Sequence, residues 1–134
     1  MKRFKLRPLP AAVLSLAFAA FLAACVSGPV TAPDDMPPAK IIQKAQEASD
    51  VNKYKTALQY YEILRERHGD TGEFFAVAEY EIAFIRYKQK RYAESRLGFM
   101  NLIARYGGPG GESLPPQFKV LSEKMLARLT ELGH

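Results

Sequence analysis

The 134-residue sequence has one cysteine, no tryptophan and two histidines, and each shortage removes a class of chemistry. Cys25 has no second cysteine with which to close an internal disulfide, and no histidine stands beside it to make a metal site or a Cys/His nucleophile pair. Of the two imidazoles, His134 is the final residue and His68 falls at the end of an expected helix, where it would meet the exposed carbonyls. The sequence lacks G-x-S-x-G, H-E-x-x-H and a phosphate loop. "GGPGG" at 107–111 has no strand before it and no Lys-Ser/Thr after it, so it reads as a flexible loop. Glu79 and Glu81 point to different faces of a helix and do not make an acid/base pair. No catalytic, cofactor-binding or metal-ligating residue is assigned. The expectation is a protein that is not an enzyme and takes no cofactor or small-molecule substrate.

Long apolar runs are also scarce. Ala11 to Ala24 is free of charge, but it is shorter than the roughly 20 apolar residues that a membrane span needs. Lys2, Arg3, Lys5 and Arg7 precede it. A basic head, a short apolar middle and small residues at the end describe an export signal over residues 1–24. Leu22-Ala23-Ala24-Cys25 resembles the lipobox of bacterial lipoproteins. That resemblance implies cleavage before Cys25, a diacylglyceryl thioether on its sulfur and acylation of the new N-terminus. Val26, where an aspartate would imply retention in the inner membrane, implies outer-membrane sorting with the domain facing the periplasm.

Removing residues 1–24 changes the charge argument. The chain carries 19 basic and 14 acidic side chains. Four of the basic ones lie in the signal, so the remainder is nearly neutral. Nothing in that balance points to nucleic acid. Val26 to Pro38 is proline-rich and without apolar period. With Cys25 it reads as a lipidated tether over 25–38, able to extend roughly 40 Å at about 3.1 Å per residue.

Residues 39–134 read as helix throughout, enough for one core. Apolar residues at helical spacing mark helices over 39–49, 53–68, 71–88 and 92–106, with a fifth from about 115 to 132. Asp70, with Glu73 three residues on, resembles a cap for the third. The third helix is apolar nearly all round, so it is expected to be covered on more than one side. Shifting the chain by 38 residues lays Ala45 on Ala83, Tyr54 on Tyr92, Ala57 on Ser95, Tyr61 on Phe99, Leu64 on Leu102 and Gly69 on Gly107. Small meets small and aromatic meets aromatic, which suggests a stacked repeat.

This pattern resembles the tetratricopeptide repeat, TPR, with "YEIAFIRYKQKRYAES" as the best-matching stretch. Ile41 and Glu79 replace the motif's tryptophan, and Gly69 and Gly107 replace its closing proline. The period also exceeds the usual 34, with the extra length expected at "GDTGEFF". The fold expected is all-α: antiparallel helical hairpins stacked as about two TPR-like repeats, 39–69 and 77–107, plus a C-terminal capping helix. Lipidated TPR proteins of bacterial envelopes include the TPR subunit of the outer-membrane barrel-assembly machinery and small pilotins. The resemblance implies a non-enzymatic scaffold or chaperone that binds an envelope protein or peptide, with outer-membrane protein assembly as the process served. The alternative is a structural subunit or pilotin without an open groove.

In TPR stacks the first helix of each hairpin lines the groove. That places Tyr80, Phe84 and Tyr87 on one groove-facing stripe, with Lys88 at its margin to favour an acidic partner. Ile42, Gln46 and Ser49 are their counterparts in the first repeat. A second arrangement folds the C-terminal helix back, so that Phe118, Leu121 and Met125 cover the stripe. Lys88, Lys90 and Arg91 form a basic turn.

Overall fold

A computed structural model describes residues 28–69 and 72–134. The expected export signal, Cys25 and the expected cap Asp70 lie outside the described residues. The described chain forms α1 (Pro38–Asp50), α2 (Tyr54–His68), α3 (Gly72–Lys88), α4 (Tyr92–Arg105), a 3-10 turn (Gly111–Ser113) and α5 (Pro116–Glu131). It contains no strand, and the class is all-α. Each helix packs on the next in sequence, and α5 also reaches α3.

Proline sets two helix starts. Pro38 and Pro116 stand at the first helical positions of α1 and α5, where a missing N–H breaks no helical bond. The α1–α2 and α3–α4 junctions are built alike. After α1, Asn52 takes φ 59° and Lys53 N–H donates to Ala48 O at 2.8 Å. After α3, Lys90 takes φ 61° and Arg91 N–H donates to Arg86 O at 2.9 Å. Both are Schellman closures, in which a left-handed residue lets the chain satisfy the last helical carbonyls and turn back. Glycine fills that role after α5, at Gly133 with φ 80°.

The core is organised around α3. One of its faces, Ala78, Ile82 and Ile85, closes on Ile41, Ala45 and Ala48 of α1 and on Ala57, Tyr61 and Leu64 of α2. Another of its faces carries Phe75 and Ala76 against Leu102 and Leu114, and Ala83 against Phe99 and Leu129. This accounts for a helix apolar nearly all round. The positions 38 residues apart are buried in pairs: Ala45 with Ala83, Ala57 with Ser95, Tyr61 with Phe99, Leu64 with Leu102. Fully burying a side chain the size of Phe99 contributes about 1.5–3 kcal/mol.

Four local expectations change. The extra length near "GDTGEFF" goes into helix, because Phe74 and Phe75 lie in the first turn of the 17-residue α3. "GGPGG" is a series of tight turns, not a flexible loop. Gly107 and Gly108 bond back to Ala104 and Arg105, and Gly111 is buried where a Cβ would meet Tyr106 O at 2.5 Å. His68 meets the Phe74 ring at 5.2 Å between centroids, and its Nε2 is buried without a hydrogen-bond partner among the described residues, so that nitrogen caps no described carbonyl. The described part of the tether does not run free. Arg67 donates to the carbonyls of Ala32 (2.6 Å) and Pro33 (2.7 Å) and pairs with Asp34, while Met36 packs on the first core cluster. Residues 32–36 are therefore a strap on the domain, and its reach is shorter than that of a fully extended segment.

Candidate functional site

Residues 80, 84 and 87 recur every three or four positions, which puts their side chains on one face of α3. Tyr80 stacks on Phe84 at 6.0 Å and Phe84 on Tyr87 at 6.1 Å, both pairs nearly parallel. The ladder continues to Tyr92 at 5.7 Å and from there to His134 at 4.3 Å. At its other end Tyr80 meets Phe118 at 5.7 Å and Phe99 at 5.5 Å. Such offset contacts are worth about 0.5–1.5 kcal/mol each beyond burial. All three stripe residues are half-buried.

The C-terminal helix accounts for that half. Phe118 and Met125 pack beside the ladder, and Arg128 lies against the Tyr87 hydroxyl. Leu121, expected to join them, stays 38% exposed. It sits to one side of the α5 face formed by Phe118, Ser122, Met125 and Leu129, which turns inward. Arg96 ties the end of α5 to α4 through Thr130 Oγ1 at 3.0 Å and the His134 carbonyl. The stripe is thus neither open nor closed over: one edge is roofed and the other faces outward.

Lys88 does not stand free at the margin. Its ammonium donates to Ser49 Oγ at 2.7 Å and lies 5.3 Å and 5.6 Å from the ring centres of Phe84 and Tyr54. It thereby joins the end of α1 to α3. Glu81, half-buried beside it, has its carboxyl pKa pushed up chiefly by burial. Lys88 opposes that shift and Asp50 adds to it. The nearby Tyr61 hydroxyl is buried without a partner among the described residues, and burial pushes its pKa up. From α1, Ile42 packs on the first core cluster, Ser49 is buried and Gln46 is exposed. The basic turn is likewise dispersed: Arg91 is held by Glu94, which also pairs with Arg86, and Lys90 is exposed. Glu79 is spent on Arg65 at 3.0 Å.

Two features escaped sequence reasoning. On α4, Ala93, Leu97, Met100 and Ala104 form an outward stripe, with Leu97 58% and Met100 52% exposed. Their helical spacing was visible, but it did not distinguish an outer face from a buried one. On α2, the face opposite Ala57, Tyr61 and Leu64 lines a cleft of about 470 Å³ with Val30 and the α3–α4 turn. Among the described residues, no group of three His, Cys, Asp or Glu side chains could hold a metal, and no helix is long and apolar enough to cross a membrane.

No family model and no solved structure matches the chain. Over 111 residues it is 31% identical to an uncharacterized protein of Treponema pallidum (strain Nichols). The match takes in 81% of this chain and 44% of that relative, so the chain spans less than half of the relative's length.

Proposed function

We propose that this chain is a non-enzymatic, lipid-anchored protein of a bacterial envelope, built of about two TPR-like hairpins and a capping helix, that binds a protein or peptide along α3. The half-buried ladder Tyr80–Phe84–Tyr87 carries the reading. Three aromatic faces in register, roofed on one edge and open on the other, suit the apolar side of an amphipathic helix or extended segment. Support for TPR-like stacking comes from the recurrence of buried positions and Schellman junctions at an offset of 38 residues. Anchoring rests on the sequence Leu22-Ala23-Ala24-Cys25 and the apolar run before it. Outer-membrane placement facing the periplasm rests on the residue Val26.

The test combines Tyr80→Ala and Tyr87→Ala with in-cell crosslinking and thermal melting. Loss of the crosslinked partner with an unchanged Tm upholds the groove. Joint loss of both assigns the aromatics to the core. In parallel, Cys25→Ser should abolish lipid labelling and leave an unprocessed precursor; normal maturation of that variant sinks the anchor. A second reading, a structural subunit or pilotin buried in a larger complex, is favoured by the exposed α4 stripe of Leu97 and Met100.

A further inference from the structure

We propose that the cleft on the outer face of α2 is a second peptide-binding site, one that holds an extended segment of a partner protein by its main chain. It is separate from the aromatic ladder on α3 and does not depend on that ladder binding anything. The cleft spans Lys55 to Glu66 along α2, about 16 Å at 1.5 Å per residue. That is the length of about five extended residues.

Three observations define the occupant. First, the floor offers acceptors without donors. The amide oxygens of Gln59 and Gln89, both on cleft-lining residues, are buried and have no hydrogen-bond partner among the described residues. A buried acceptor left without a donor is destabilising, so an arriving N–H is favoured there. The terminal amide torsion of glutamine is soft, so a small rotation turns either oxygen toward an arriving N–H. A peptide backbone brings such donors every second residue on one edge, whereas an acyl chain brings none. Second, the apolar surface of Val30, Leu58 and Ile63 provides contact for short aliphatic side chains. Third, the two ends differ in charge. Among the described residues Lys55 at one end and Glu66 at the other form no salt bridge, while Glu62 and Arg91 are paired with Arg65 and Glu94. A peptide with a carboxylate at the Lys55 end and a cation at the Glu66 end matches them.

The molecule already uses this mode of binding next door. Val30 lines the cleft, and two and three residues further on the carbonyls of Ala32 and Pro33 are held by Arg67 of the same helix. The cleft extends that track, so a peptide laid in it in the same sense places its first residue near Lys55.

The experiment titrates the full chain in detergent with the acetylated, amidated pentapeptide Glu-Val-Thr-Val-Lys, followed by NMR. The expected result is a shift of the side-chain amide signals of Gln59 and Gln89 and of the Leu58 and Ile63 methyls. The charge-exchanged peptide Lys-Val-Thr-Val-Glu should bind at least tenfold more weakly. Gln59→Leu with Gln89→Leu should lower affinity at least tenfold while Tm holds or rises, since two unmet acceptors are removed. Should that pair fail to fold, the surface exchange Lys55→Glu with Glu66→Lys gives an independent reading, because it should invert the preference between the two peptides. Absence of binding, shifts confined to Tyr80–Tyr87, or equal affinity for both peptides overturns the proposal. So does finding residues upstream of Gly28 in contact with Leu58 and Ile63.

Discussion

Gly98 of α4 lies flat against Ala83 of α3: a Cβ built on Gly98 would stand 2.8 Å from the Cβ of Ala83. The approach is set by two small residues, and Ala83 is buried beside Phe99 and Leu129. Gly98→Ala and Ala83→Leu should each overpack this contact, at about 1–3 kcal/mol. In a domain of this size that lowers Tm by on the order of ten degrees. The exchange Gly98→Ala with Ala83→Gly should recover much of the loss. Calorimetric melts of the three variants check it; equal Tm values throughout would show that the helices are not held by this contact.

Lys90 closes the α3–α4 junction in a left-handed conformation that L side chains adopt at a penalty of roughly 1–2 kcal/mol. Lys90→Gly should therefore raise Tm by a few degrees. Asn52→Gly, at the matching junction, should gain less, because asparagine tolerates that region. A drop in Tm for Lys90→Gly would mean that the lysine side chain stabilises the turn by more than the strain it bears.

Glu81 carries a carboxyl pushed up by burial near Tyr61, Asp50 and Lys88. A carboxyl whose folded pKa lies above its unfolded value favours the native state when protonated, and that contribution fades as pH rises through the folded pKa. Glu81→Gln should accordingly raise Tm at pH 7. The gain should vanish below the ordinary glutamate range, where the wild-type carboxyl is protonated in both states. Melts of wild type and variant from pH 3.5 to 8 read this directly; a gap that widens toward acid would reverse the assignment.

Arg67 holds the strap through two carbonyls and Asp34. Arg67→Ala should speed amide exchange at Met36, whose N–H bonds Pro33 O at 3.0 Å, severalfold or more. Amides of α5, which packs on α4 and α3, should keep their protection. Exchange at Met36 that matches wild type would mean that the Met36 side chain alone seats the segment.

Helix positions were legible because each hairpin alternates faces with a clear period, and because Pro38, Pro116 and Gly133 punctuate it. The matching of Tyr61 with Phe99 and Ala57 with Ser95 was also readable, since packing constrains size more than identity. The stripe Tyr80–Phe84–Tyr87 could be drawn from spacing, but its partial roof could not. Whether Leu121 or Met125 faces α3 depends on how α5 rolls against α4, which Arg96 and the Tyr92–His134 contact fix across more than thirty residues. Spacing alone puts Lys88 at the margin of the stripe, free to meet an acidic partner. Its turn inward depends on Ser49 and Tyr54, two residues of another hairpin. The strap was the least readable feature: Arg67 grips main-chain carbonyls, and a carbonyl leaves no trace in residue identity. Gln59 and Gln89 carried no signal for the same reason, since ordinary polar residues on a helix and a turn become notable only when both amides are found without donors.

The Arg67 grip also has a mechanical consequence. Tension applied to the chain before Gly28 does not enter the domain at Pro38. It is taken up first by Arg67 near the C-terminal end of α2, through the carbonyls of Ala32 and Pro33 and the seated side chain of Met36. Because α2 faces α3 through Leu64, Ala78 and Ile82, the load spreads into the central helix as shear and does not peel α1 away from its free end. The strap thus acts as a strain relief, and the first element to yield under a pull is a short, re-formable clasp outside the core.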